Sequence, residues 1–169
     1  ERYFGTDADT ITISNKTYYL GEGNFEIEAR KFDKENFIPL VLGAICKSTD
    51  ADLIDLAIGL PIIQFKDKNT RTELINMLQG NTYKVVYNKI PSTKIIRSVQ
   101  VFPEGIAGYL YMKNKGLLNA VGNRDSILID IGGKTTDIAL IKNNKATLPT
   151  SINIGTIDIY YAIAKALRE

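Results

Sequence analysis

Asp130-Ile131-Gly132-Gly133-Lys134-Thr135-Thr136-Asp137 follows the apolar run Ile127, Leu128, Ile129 and precedes a second, Ile138, Ala139, Leu140, Ile141. The pattern predicts a strand, a tight glycine turn and another strand. Gly132 and Gly133 open backbone conformations closed to other residues, so such a turn is able to aim several N–H groups into one concavity suited to phosphate. Asp130 and Asp137 bracket the turn, and carboxylates beside a phosphate site act through a hard cation such as Mg²⁺, directly or through its waters. The same residues also suit an ordinary hairpin whose Gly-Gly turn is ringed by solvated polar side chains.

Outward from this stretch the chain reads as α/β. Ile11–Ile13 and Tyr18–Leu20 suggest a hairpin, and residues 1–35 form a small peripheral lobe. Pro39 suits a helix start, with the apolar residues Leu40–Cys46 inward. Leu53–Ile58 is nearly continuous apolar, as expected of a strand covered on both faces. Thr70–Leu78 reads as an amphipathic helix closed by Gly80, with Leu74, Ile75 and Leu78 inward. Two alternating runs, Tyr83–Tyr87 and Ile95–Val101, predict strands, and Pro103 to about Leu118 predicts a helix. A turn is expected around Gly122–Asp125. The last strands are Ile127–Asp130, Thr136–Ile141 and Ala146–Thr150, with Lys142–Lys145 as a hairpin turn, before a terminal helix.

Composition narrows the chemistry. The 169 residues are 44% hydrophobic and 24% charged, ordinary for a globular domain. With no histidine, Ser-His-Asp and Cys-His pairs and the usual His-containing zinc sites are excluded. Reaction chemistry must rest on carboxylates, backbone donors and a hard metal. Cys46 lies among apolar residues, where it packs rather than reacts, and a single cysteine allows no internal disulfide, so a reducing cytoplasm is the default location. No signal-peptide pattern or long apolar run suggests a membrane. Net charge is +2 with scattered lysines, which argues against direct nucleic-acid binding, since phosphate-backbone affinity needs clustered cations.

Three further segments carry motifs in a fixed order: Asp55-Leu56-Ala57-Ile58-Gly59-Leu60-Pro61, then Val101-Phe102-Pro103-Glu104-Gly105-Ile106-Ala107-Gly108-Tyr109, and finally Asn153-Ile154-Gly155-Thr156-Ile157-Asp158. With the glycine turn, this ordered set resembles the actin-like ATPases, especially the bacterial plasmid-segregation actins of the ParM type. The resemblance implies an actin-like ATPase (ribonuclease H-like) domain, with a mixed sheet flanked by helices. It implies that residues 1–35 are a subdomain IB remnant and residues 36–169 the nucleotide-binding core, subdomain IA. A first phosphate loop is expected before residue 1 and a second domain after residue 169, so that the 169 residues alone hold half a cleft, bind nucleotide weakly and are inactive.

The resemblance also assigns roles, each beside a plainer one. Asp130 holds Mg²⁺ through water, or caps a turn. Gly132 and Gly133 cradle phosphate, or simply turn. Lys134 stands where family members often carry a smaller polar residue; its ammonium reaches phosphate or, as favoured here, solvent. Thr135 and Thr136 offer hydroxyl or N–H groups to phosphate, or are ordinary strand residues. Asp137 contacts ribose or metal waters, or is solvated. Gly155 brings a helix N-terminus to phosphate, or makes a tight strand-to-helix turn. Glu104 orients the attacking water, or is a carboxylate favoured by a helix start after Pro103.

The implied function is a filament-forming ATP or GTP hydrolase with Mg²⁺ as cofactor, serving plasmid or phage DNA segregation. Its partners are filament protomers and a DNA-bound adaptor. The competing functions are a non-filamentous member of the same fold, whether sugar or acetate kinase, chaperone or pilus-assembly ATPase, and a nucleotide-binding adaptor without turnover.

Overall fold

The computed structural model describes residues 8–21, 30, 32–119, 124–143 and 145–168. In chain order its elements are β1 (Asp9–Ile13), β2 (Lys16–Leu20), α1 (Phe37–Ser48), β3 (Leu53–Leu60), α2 (Ile62–Lys66), α3 (Lys68–Leu78), β4 (Thr82–Tyr87), β5 (Ile90–Pro103), α4 (Ile106–Asn114), β6 (Ser126–Ile131), β7 (Thr136–Lys142), β8 (Lys145–Ile152) and α5 (Thr156–Ala166). The strands form a five-stranded sheet, in the order β2-β1-β4-β5-β3, and a three-stranded sheet, β6-β7-β8. Contacts divide the chain into two compact units, residues 1–58 with 72–100 and residues 59–71 with 101–169.

In the first unit two tight turns set the register. Ser14 and Asn15 take positive φ (49° and 66°), as do Asn88 and Lys89 (46° and 70°), the geometry that matches the twist of two-residue hairpins. The hairpins join through β1 and β4, where Ile11 faces Tyr87 and Ile13 faces Val85. Helix α1 has Pro39 in its first turn, where a missing N–H costs nothing, and it buries Phe37, Leu42 and Ile45. A Cβ on Gly43 would stand 2.4 Å from the Leu20 side chain, so glycine lets α1 close on β2. Gly80, at φ +80°, ends α3 and donates its N–H to Ile96 at 2.7 Å. Lys94 is buried, and its ammonium donates to the carbonyls of Thr49 (3.3 Å) and Ala51 (2.8 Å) just past the end of α1, the helix end that favours a cation.

In the second unit Ile62, Ile106, Ala139 and Ile141 form the core, with Tyr109, Leu128 and Ala146 packed against it. Burying an isoleucine such as Ile62 or Ile141 stabilises by about 1.5–3 kcal/mol. The hairpin expected at Lys142–Lys145 is present, with the two lysines paired across it.

The structure departs from the sequence reading at several places, among them Leu40, expected inward and half exposed. Strand β3 is not covered on both faces: it lies at the sheet edge, with Ile54 and Leu60 buried but Leu53 half exposed. Pro103 does not open a helix; it is the last residue of β5, and α4 begins only at Ile106, after Gly105 at φ +71°. That helix ends at Asn114 rather than near Leu118. The short helix α2, straight after Pro61, was not anticipated. Residues 122 and 123 of the expected turn lie outside the described residues. Among the described residues no helix is long and apolar enough to cross a membrane.

Candidate functional site

Glu104, Asp130, Gly132, Gly133, Lys134, Thr135, Thr136, Asp137 and Gly155 all fall in the second unit. The β6–β7 ladder sets Asp130 opposite Asp137 and Ile131 opposite Thr136, leaving residues 132–135 as the turn. Gly132 closes that turn by donating its N–H to Thr135 at 2.8 Å, and a Cβ on Gly132 would lie 3.1 Å from the same carbonyl oxygen. Among the described residues none accepts a hydrogen bond from the N–H of Gly133, Lys134 or Thr135, and the Thr135 hydroxyl has no partner either. Successive free donors of this kind make an anion-binding concavity.

Helix α5 is seated on the back of the turn. Thr156 and Ile157 donate their N–H groups to the carbonyls of Gly132 (3.0 Å) and Gly133 (2.9 Å). Gly155 permits this approach: a Cβ there would stand 2.4 Å from the carbonyl carbon and oxygen of Gly133 and 2.5 Å from the Lys134 nitrogen. The first N–H groups of α5 therefore serve the turn's carbonyls, and Gly155 makes a tight strand-to-helix turn. Asp158 completes the junction. Its Oδ2 accepts the Gly155 N–H at 3.0 Å, and its Oδ1 lies 2.6 Å from the Lys134 ammonium. Lys134, then the Gly155 N–H, hold the Asp158 carboxyl below its ordinary range. Lys134 is thus ion-paired, not standing free in solvent as favoured from sequence.

Two carboxylates face each other across the ladder that leads into the turn. Residues opposite each other in an antiparallel ladder share a face, so Asp130 and Asp137 stand side by side. Asp137 is buried and accepts a hydrogen bond from the Ser151 hydroxyl, in contrast to a solvated strand residue. Thr136 is also buried, and its hydroxyl donates to the Ile154 carbonyl at 2.8 Å, so it anchors the β8–α5 connection. Glu104 donates its N–H to Leu60 at 2.8 Å, and its side chain lies over Gly59, where a Cβ would come within 2.8 Å of Cγ and 3.0 Å of Oε1. The next residue, Gly105, lies beside Asp130: a Cβ on it would sit 3.3 Å from Asp130 Oδ2. The structure thereby brings the Glu104 turn up to Asp130.

These residues fit a phosphate with a hydrated cation. The free N–H groups suit phosphate oxygens, while two adjacent carboxylates suit a Mg²⁺ that keeps most of its waters. Among the described residues no group of three or more His, Cys, Asp or Glu could enclose a bare metal ion. Sequence reasoning missed Gly59, Gly105, Ser151 and Asp158. The two glycines stood inside quoted motifs but their role is to leave room for Glu104 and Asp130, and Asp158 sits at the third position of a helix that a glycine caps, an acidic spacing that was legible.

Comparisons with known proteins bear on the fold and the family. The family profile described as the actin-like proteins' N-terminal domain matches residues 2–106. An archaeal actin homolog, Ta0583, solved as a complex with ADP, superposes with a TM-score of 0.76 at 19% identity, over 94% of this chain and 54% of its own. The AlfA filament bound to AMPPNP matches at 0.65 and 21% identity, over 98% of this chain and 62% of its own. The apo psk41 ParM protein matches at 0.65 and 20% identity, over 96% of this chain and 57% of its own. No curated protein matches the chain in sequence. The chain therefore spans a little over half the length of these structural relatives. With the family profile covering well over half of the residues, and the glycine turn and its carboxylates set in an actin-like fold, the chain belongs to the actin-like proteins.

Proposed function

We propose that the chain is the N-terminal part of a filament-forming actin-like nucleotide triphosphatase that acts in the cytoplasm in plasmid or phage DNA segregation. The observation that carries the reading is the turn of residues 132–135, with three N–H groups that no described residue accepts, beside Asp130 and Asp137. The ADP complex of one structural relative and the AMPPNP-bound filament of another support a nucleotide and self-association.

When bound, ATP or GTP supplies the phosphoanhydride and Mg²⁺ supplies counter-charge. The N–H groups of Gly133, Lys134 and Thr135 and the Thr135 hydroxyl hold phosphate oxygens, and they gain strength as negative charge spreads over the transferred group. Asp130 and Asp137 would hold the waters of a bound Mg²⁺. Glu104, fixed by its backbone bond to Leu60, orients a water and accepts its proton.

The test is Glu104→Ala in the full-length protein. Phosphate release should slow by roughly 10²-fold or more, the scale of a positioned acid–base group, with nucleotide affinity little changed. Polymers should still form with ATP or GTP and should outlast those of the parent, because disassembly is set to follow hydrolysis. Unchanged hydrolysis would return Glu104 to a role in the turn, and slow hydrolysis with no polymer from either protein would favour the non-filamentous ATPases.

A further inference from the structure

Lys134 and Asp158 form an ion pair with both ends in the candidate site. The ammonium stands 2.6 Å from Oδ1, while Oδ2 of the same carboxylate takes the Gly155 N–H at 3.0 Å. The two side chains are 35% and 34% exposed, so exchanging partners breaks no fully buried contact. The backbone N–H of Lys134 is itself one of the turn's free donors. A phosphate seated on those donors brings a second, more highly charged anion within reach of the ammonium, and also sets a like charge near Asp158.

We propose that Asp158 competes with a bound phosphate for the Lys134 ammonium, and that a phosphate group bound at the turn takes Lys134 over from Asp158. This rests on the reading of the turn as a nucleotide site. Asp158 stays ionised after the exchange, because the Gly155 N–H and the positive end of α5 still hold it. The pair therefore works against phosphate affinity: it must open before Lys134 contributes. The exchange also removes one tie between the turn and α5, leaving the backbone bonds from Thr156 and Ile157. No side chain of α5 is buried, so the start of the helix is placed to register the change.

The test is a double-mutant cycle of MgADP affinity, measured by calorimetry on the full-length protein with Asp158→Asn, Lys134→Gln and the two combined. Asparagine keeps an oxygen for the Gly155 N–H, so the cap survives while the charge is lost. Asp158→Asn should bind about three- to tenfold tighter and Lys134→Gln weaker by a similar factor, with the Asp158→Asn gain shrinking below about twofold in the Lys134→Gln background. If Asp158→Asn fails to fold, Asp158→Ser carries the same expectation. Unchanged or weaker binding would show that Asp158 only caps the helix. A gain that persists at full size without Lys134 would show direct repulsion and overturn the exchange. A parent protein with no MgADP affinity would remove the nucleotide reading itself, an outcome distinct from any that the variants give.

Discussion

Asp9 and Asp55 carry the most strongly lowered carboxyl groups described in the chain. Asp9 accepts from Lys47 at 2.6 Å, and from Asn88 at 2.8 Å, and is held at about 2. Asp55 is held at about 2 by Arg97 and then by the Ser98 hydroxyl. A carboxyl lowered in the folded state adds stability above its unfolded pKa and loses it as pH falls through the folded one. The thermal midpoint should therefore be level above about pH 5 and fall between about pH 4 and pH 2. Asp9→Asn combined with Asp55→Asn should flatten that fall, and high salt should shrink it, since both pairs are exposed. An acid limb unchanged by the double substitution would show that other carboxylates carry it. At this scale the sequence showed which residues could bear charge but not which would meet: the partners of Asp9, Asp55 and Asp158 lie tens of residues away, and only the folded register joins them.

At the scale of elements the junction of the β6–β7 turn with α5 depends on a missing side chain. Gly155→Ala would place a methyl 2.4 Å from backbone atoms of Gly133, which have no flexible end to yield. The turn or the helix must move, at a cost of about 1–3 kcal/mol, the usual range for overpacking. Chemical denaturation should read that loss, together with weakened nucleotide binding; a variant with the parent's midpoint and affinity would show that the junction is loose. The hairpin itself was legible because apolar runs of strand length flank two glycines. Pro103-Glu104 misled because proline suits both a helix start and a strand end, and α4 begins three residues after Pro103, behind Gly105 with its positive φ. Strand β3 was recognised from its apolar run, yet its edge position was not, since composition does not say what covers a face. The outer face of β6 makes the same point: Ile127, Ile129 and Ile131 look like core in the sequence and are 68%, 57% and 59% exposed in this chain.

At the scale of the whole molecule, the family rests on a profile match over residues 2–106 and the fold on structural likeness over nearly the full chain. The function rests on fewer than a dozen residues of the second unit. What the proposed function needs above all is that the turn of residues 132–135 binds nucleotide phosphate. The most direct measurement is a structure of the full-length protein determined with a non-hydrolysable ATP analogue and Mg²⁺. Phosphate oxygens should lie within hydrogen-bond reach of the N–H groups of Gly133, Lys134 and Thr135, with Asp130 on the cation's waters and Glu104 facing the terminal phosphate. Phosphates bound away from this turn, with those N–H groups left to water, would contradict it.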